Sequence, residues 1–281
     1  MESVMNVTVS CYTNYFDTTP VDINLLTFIN SRKHKEKIDA IRMMEDKKSR
    51  DDAKALIPAI TPSGTFTKRD EAHLIKHSGL IQFDIDYKGN EHIDNFEELT
   101  HEIGNLPYIS YCGFSASGYG IWGLVPIAFP EKHKLHLQAL KNVFKQFGIK
   151  CDTAPSNVAS LRGYSYDDNA HVNHRAEIFT QISKPQVIKI NRSQSYETNT
   201  ERVFERAVKK AQLTDLFVDG AKHSFLVRVA GYCNTFGLDY DTVVGLVEQN
   251  FRSMTGSDID LEKPVANVYK GYKNQFAEYA T

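Results

Sequence analysis

The segment Ser78 to Asp86, SGLIQFDID, constrains this chain more than any other: a nearly continuous apolar run that ends in two carboxylates. Such a run is typical of a strand covered on both faces, so the chain must build layers on either side of it. Asp84 and Asp86 stand at positions i and i+2 of that strand. Both therefore project from one face, about 6.6–6.8 Å apart along the chain. That geometry can hold a pair of divalent ions, which can clamp an attacking hydroxyl and a leaving pyrophosphate in line. The spacing alone is weak. With 19 Asp in the chain, the pattern recurs at Asp239-Tyr240-Asp241 and Asp258-Ile259-Asp260. Those two fall in expected helix-joining loops, where Asp is an ordinary cap or turn residue. Only the first ends a buried strand, where an unpaired carboxylate pair is costly unless it binds cations; a solvated strand end is the alternative.

Around this strand the periodicity predicts helices on a mostly antiparallel sheet. Asn6 to Tyr12 alternates as a half-buried strand, and Asp22 is the expected cap of a helix running to about Ser31. A polar helix is expected over Lys35 to Asp46. LIPAITPSGTF, Leu56 to Phe66, is apolar and turns at Thr61-Pro62-Ser63-Gly64. Downstream, a helix over Ile93 to Ile103 is followed by strands at Tyr108 to Phe114 and Ile121 to Phe129. A long helix is expected over Glu131 to Phe147, then a short extended piece at Ile149 to Asp152, and strands at Leu161 to Tyr166 and Ala176 to Thr180.

After Lys184 the sequence KPQVIKINRSQSYETNT is polar and aperiodic, and reads as a linker over 184–200. Helical spacing then returns at Glu201 to Leu213, Lys222 to Phe236, Asp241 to Arg252 and Leu261 to Tyr279, predicting four helices in a domain over 201–281. At 281 residues the chain can bury two such cores. No apolar run approaches the roughly 20 residues of a membrane span, and the amino terminus carries no export signal, so a soluble cytoplasmic protein is expected. Cys11, Cys112, Cys151 and Cys233 are scattered without a C-x-x-C pair, which argues against a zinc knuckle or disulfide framework.

A net charge of −2 supplies no global attraction to phosphate, so nucleic-acid affinity would have to come from bound cations and local basic clusters. Lys184 to Lys210, with seven Lys/Arg against three Glu, is one such cluster; a solvated linker and helix face is the plainer reading. Two further elements carry chemistry. Phe114-Ser115-Ala116-Ser117-Gly118-Tyr119-Gly120 has glycines that let backbone N–H groups approach an anion and hydroxyls that add donors, as for a nucleotide triphosphate; a hairpin turn is the alternative. Asp152 and Arg162, in CDTAPSNVASLRGYSYDD, fit a third metal ligand and a bidentate phosphate contact, or else a cap and a surface ion pair.

The series FDID, then SASGYG, then a lone Asp closely followed by an Arg before a strand resembles the three motifs of the archaeo-eukaryotic primase superfamily. More narrowly, it is similar to the primase-polymerase domain at the amino-terminal end of virulence-associated protein E proteins of bacterial mobile elements. LIPAITPSGTF, HSGLIQFDID and ASLRGYSYDD extend the likeness, which covers roughly residues 5–183. The resemblance implies an α+β fold: a primase-polymerase catalytic domain over 1–183 with an RRM-like, mostly antiparallel sheet, followed by a small all-α domain. It implies a DNA primase and polymerase activity with Mg²⁺ or Mn²⁺ on Asp84, Asp86 and Asp152, which would be the catalytic set. It places Ser115, Ser117, Gly118 and Gly120 beside the incoming nucleotide. Many members have His where this chain has Trp122, so phosphate contact would fall to Arg162, Lys54 or the glycine-turn backbone. A single-stranded DNA template and nucleoside triphosphates are the implied partners, with a replicative helicase separate or missing. The carboxy-terminal stretch KHSFLVRVAGYCNTFGLDYDTVVGLVEQNF is similar to the helical domain that follows such primases. A metal-dependent nuclease and a catalytically silent nucleic-acid-binding replication-initiation module are the rival functions.

Overall fold

The computed structural model describes residues 2–184, 199–255 and 259–279. The chain divides into two compact units, Met1–Ser183 and Lys184–Thr281. The protein is α+β, with antiparallel sheets and helices in the first unit and helices in the second.

In the first unit β1 (Thr8–Tyr12) and β2 (Val21–Asn24) form an antiparallel pair that places Asp22 opposite Ser10. Asp22 is therefore a strand residue and not the expected helix cap. That role belongs to Asn24, whose side chain accepts from the Thr27 N–H at 3.1 Å and starts α1 (Leu25–Asn30). The expected polar helix is α2 (Lys35–Arg42), shorter than predicted, and a further helix, α3 (Lys47–Ala55), follows from an Asp46 cap. No residue of α3 is buried, so it has no apolar period to read. Next come β3 (Ala59–Thr61), β4 (Gly64–Phe66), β5 (Leu74–His77) and β6 (Leu80–Asp86). The helix expected over Ile93 to Ile103 is reduced to α4 (Leu99–Gly104), because residues 90–98 run through successive turns such as Ile93 N–H to Asn90 O and Glu98 N–H to Asn95 O. The remaining elements are β7 (Tyr111–Phe114), β8 (Gly120–Pro126), α5 (His133–Gln146), β9 (Arg162–Gly163) and β10 (His171–Val172). Ile149 to Asp152 forms no strand, and Ala176 to Thr180 contributes only a bridge between Phe179 and Ile127.

Two four-stranded sheets, β2-β1-β3-β9 and β10-β7-β8-β6, pack face to face. Period-two alternation sends Ile81, Phe83 and Ile85 to one face of β6, where α4 and α5 cover them with Leu99, Ile103, Leu140 and Phe144. Each of those three is fully buried and contributes roughly 1.5–3 kcal/mol. Leu80 on the other face meets Trp122, Leu124, Val9 and Ile60 in the layer between the sheets. A third cluster of Ile38, Ile41, Ala116 and Tyr164 docks α2 against the turn after β7. Asp84 and Asp86, the last two residues of β6 on that face, are not part of this intersheet cluster.

The second unit contains α6 (Asn199–Gln212), α7 (Lys222–Thr235), α8 (Tyr240–Thr255) and α9 (Glu262–Gly271). Phe204, Phe225, Leu226, Phe251 and Val265 form its core. The last helix stops at Gly271 and continues as a 3-10 turn at Lys273–Gln275, with the Asn234 side chain donating to Tyr272 O at 3.0 Å. Asp239 caps α8 through the Thr242 N–H at 3.0 Å, and Asp260 accepts from the Lys263 N–H at 3.0 Å, so both serve as helix-start residues. Asp258 and most of the expected 184–200 linker lie outside the described residues. Among the described residues, no helix is long and apolar enough to cross a membrane.

Candidate active site

The β6–β8 ladder sets Asp84 opposite Trp122 and Asp86 opposite Gly120, so all four point to one face. Asp84 is half-buried. Its Oδ2 pairs with Arg162 Nη2 at 2.8 Å, whereas its Oδ1 is buried without a hydrogen-bond partner. Arg162, on β9, is held on three sides. Its Nε donates to Gln82 Oε1 at 3.1 Å, Gln82 Nε2 donates in turn to Ser160 O at 2.8 Å, and the guanidinium lies 5.3 Å from the Trp122 ring centre. Trp122 Nε1 donates to Ser165 Oγ at 2.8 Å. Burial acts to lower the Arg162 pKa, but the Asp84 carboxylate outweighs it and the net shift is upward, so the guanidinium stays charged. Asp86 is pushed above the usual carboxylate range, first by partial burial and then by the charges of Asp84 and Asp152. Negative charge is thus concentrated beside a buried carboxylate oxygen that Arg162 leaves without a partner.

The turn after β7 closes on this face. Ser115 N–H donates to Gly120 O at 2.7 Å and Gly118 N–H to Ser115 O at 3.0 Å, with Gly118 at φ 76°, a conformation glycine adopts without strain. The two hydroxyls, Ser115 Oγ and Ser117 Oγ, lie 3.3 Å apart. Gly120 is required for a different reason: a Cβ there would sit 2.9 Å from Asp86 Oδ1. From below, Arg42 of α2 donates through Nη2 to Ser115 O at 3.2 Å and to Tyr166 O at 2.8 Å, while Asp167 Oδ2 accepts from the Phe114 N–H at 2.8 Å.

A cavity of about 260 Å³ results, lined among others by Lys54, Asp84, Asp86, Ser115, Ser117 and Arg162. Five separated segments, Tyr15 among them, therefore meet at one point. Lys54 comes from α3 and pairs with Asp51 at 3.0 Å on the same helix. Gly120 lies directly beneath Asp86, and Gly118 borders a separate hollow with Tyr87 and Tyr119. Asp152 does not line the cavity. Its backbone N–H donates to Asp84 O at 2.8 Å, which brings it beside β6 without strand pairing. Among the described residues, no three His, Cys, Asp or Glu side chains form a group that could hold a metal ion. The oxygen donors that do face the cavity, two carboxylates with one orphaned oxygen, suit hard cations such as Mg²⁺ or Mn²⁺.

Arg42, Gln82 and Asp167, which hold the site together, carried no signal in the sequence; each acts on a residue far along the chain. Trp122 did carry one, since it departs from the resembled motif, but its role beneath Arg162 could not be read from that.

The fold and site together define an α+β protein with a carboxylate pair at a strand end, facing a cavity furnished with hydroxyls and two cationic side chains. The family model described as BT4734-like, N-terminal domain, matches residues 51–171, a span that includes each of the cavity residues named above. Among solved structures the chain is similar to one described as the crystal structure of primase RepB', at 8% identity and a TM-score of 0.28, over 95% of this chain and 91% of that one. No curated protein matches the chain.

Proposed function

We propose that this chain is a DNA primase-polymerase, catalysing template-directed nucleotidyl transfer at the Asp84–Asp86 face. The observation that carries this reading is the meeting, on one cavity, of three segments singled out by motif resemblance, with Asp84 Oδ1 buried and unpartnered between them. Asp84 and Asp86 would hold Mg²⁺ or Mn²⁺, with Asp152, whose backbone N–H donates to Asp84 O, as the third ligand of this reading. Bound divalent ions would supply positive charge to the attacking hydroxyl and the departing pyrophosphate.

The remaining work falls to this chain's own side chains. Arg162 is held in a buried pair with Asp84, whereas the pair that Lys54 makes with Asp51 is solvent-exposed and weak, so Lys54 and the Ser115 and Ser117 hydroxyls would be the groups to meet triphosphate oxygens. In the transfer, the 3′-oxygen bonds to the α-phosphorus, the bond to the β-phosphate oxygen breaks, and the hydroxyl proton passes to water. Single-stranded DNA and nucleoside triphosphates are the substrates of this reading.

The test is incorporation of labelled nucleotide on a single-stranded template with Mg²⁺ or Mn²⁺, by wild type and by Asp84→Ala/Asp86→Ala, alongside template binding. Incorporation by the wild type, its loss in the double variant and retained binding are expected, because removing two acids removes no phosphate contact. Degradation of template without incorporation would establish a nuclease instead. Binding without chemistry in either protein would establish a silent replication module.

A further inference from the structure

The cavity that holds Lys54 and the serines shares lining residues with a second, larger one of about 690 Å³. Tyr15, Asp84 and Arg162 line both. Lys54, Ser115 and Ser117 belong to the first alone, and Arg69, Asn157 and Ser160 to the second alone. The candidate ion-binding carboxylate is thus a wall shared by two chambers.

Within the second chamber, Arg69 is the cation that could meet an anion. Arg69 follows β4, its backbone N–H donating to Thr18 O at 3.2 Å and its Nη1 to Tyr15 O at 2.8 Å. Among the described residues no carboxylate pairs with it. The two acids on the same rim are otherwise engaged. Asp70 accepts from the Ala72 N–H at 2.8 Å, and Glu71 pairs with Lys134 at 3.0 Å. Tyr15 stands at the boundary, its hydroxyl packed so closely on Gly163 that a Cβ there would come within 2.7 Å. The volume falls in the roughly 300–1,000 Å³ range of small-ligand sites, enough for one nucleotide.

We propose that this second chamber receives the 3′-terminal nucleotide of the growing strand, with Arg69 on its phosphate and Tyr15 dividing it from the incoming nucleotide. The inference rests on the nucleotidyl-transfer reading above. In-line displacement needs attacker and leaving group on opposite sides of the phosphorus, and two chambers that share Asp84 and Arg162 would bring an acceptor and a donor to the same carboxylate.

Two measurements test it. In steady-state extension of a primed template, Arg69→Gln keeps an amide to donate to Tyr15 O but loses the charge. It should raise KM for primer about tenfold, leave KM for nucleotide within about twofold, and lower the salt dependence of primer binding by about one ion. Lys54→Gln should do the reverse. Equal rises in both constants for Arg69→Gln, or no rise in either, would overturn the assignment. The second measurement needs no turnover. A primer with a photoreactive 3′-terminal base, bound to the full chain, should crosslink to residues 154–161, which line the second chamber alone, and crosslinking to residues 115–119 instead would also overturn it. If the wild type incorporates nothing yet the crosslink maps to 154–161, the acceptor chamber stands and the transfer reading fails.

Discussion

Gly120 lies directly opposite Asp86 in the β6–β8 ladder, and a side chain on it would come within 2.9 Å of Asp86 Oδ1 and 3.2 Å of Ile85 O. The glycine of one motif therefore creates the space in which the carboxylate of another can stand. Gly120→Ala should turn Asp86 away from the cavity at an overpacking cost of about 1–3 kcal/mol. Nucleotide incorporation is expected to fall at least tenfold, with the far-ultraviolet circular dichroism unchanged. Full activity in this variant would remove Asp86 from the proposed ion site.

Trp122 is 2% exposed, beneath Arg162 and bonded to Ser165. Trp122→Phe keeps the ring under the guanidinium and loses one buried hydrogen bond, so urea denaturation should show a loss of about 1–3 kcal/mol with activity retained. Trp122→Ala should cost about 3–5 kcal/mol and release Arg162 from its place. Trp122→His, which restores the residue common in the resembled motif, should destabilise without raising activity, since the position is covered by Arg162.

His77 and His133 form a neutral pair that ties β5 to α5. His77 Nδ1 accepts from the Gly79 N–H at 2.9 Å, so its Nε2 carries the proton and donates to His133 Nδ1 at 3.1 Å. Burial lowers the pKa of His77 to about 4 and that of His133 to about 3; Glu131 opposes the shift at His77, and His77, then Lys134 and His136, add to it at His133. Since both folded values lie below the unfolded value of about 6.5, the unfolded chain binds more protons between pH 6.5 and 3. Stability is therefore fully present above pH 6.5 and falls as the pH drops. From pH 6.5 to 5 the loss through His133 alone should be about 2 kcal/mol. His133→Gln should flatten that slope in urea melts at pH 7, 6 and 5; an unchanged slope would place the acid sensitivity elsewhere.

The second unit has its own core around Phe204, Phe225 and Phe251, and the first unit has three clusters without any residue beyond Phe179. Residues 1–183 should therefore fold alone with a cooperative thermal transition. Removing 201–281 is expected to weaken single-strand binding and primer synthesis more than extension of a pre-formed primer. Equal loss in both assays would assign the helices a packing role only.

Local pattern made part of this protein legible. The buried run of β6 and its two same-face carboxylates follow from a strand's period of two, and the helices of the second unit from apolar spacing near 3.6. Where local signals competed, the reading failed: Asp22 is as good a cap as Asn24, and only pairing with β1 makes it a strand residue. The polar α3 gave no period at all, although it delivers Lys54 to the cavity.

The sequence by itself determined that two carboxylates would share one face of a covered strand, that a glycine-bearing turn would follow within about one supersecondary unit, and that a separate helical unit would come after. These are properties of neighbouring residues, set by backbone geometry. Tertiary structure alone decided that Arg162 neutralises Asp84 on one oxygen and leaves the other bare, that Gln82 and Trp122 hold that guanidinium, and that the carboxylate forms the wall between two chambers. Those relationships join residues far apart in the chain through sheet packing and burial, and no local period encodes such pairings.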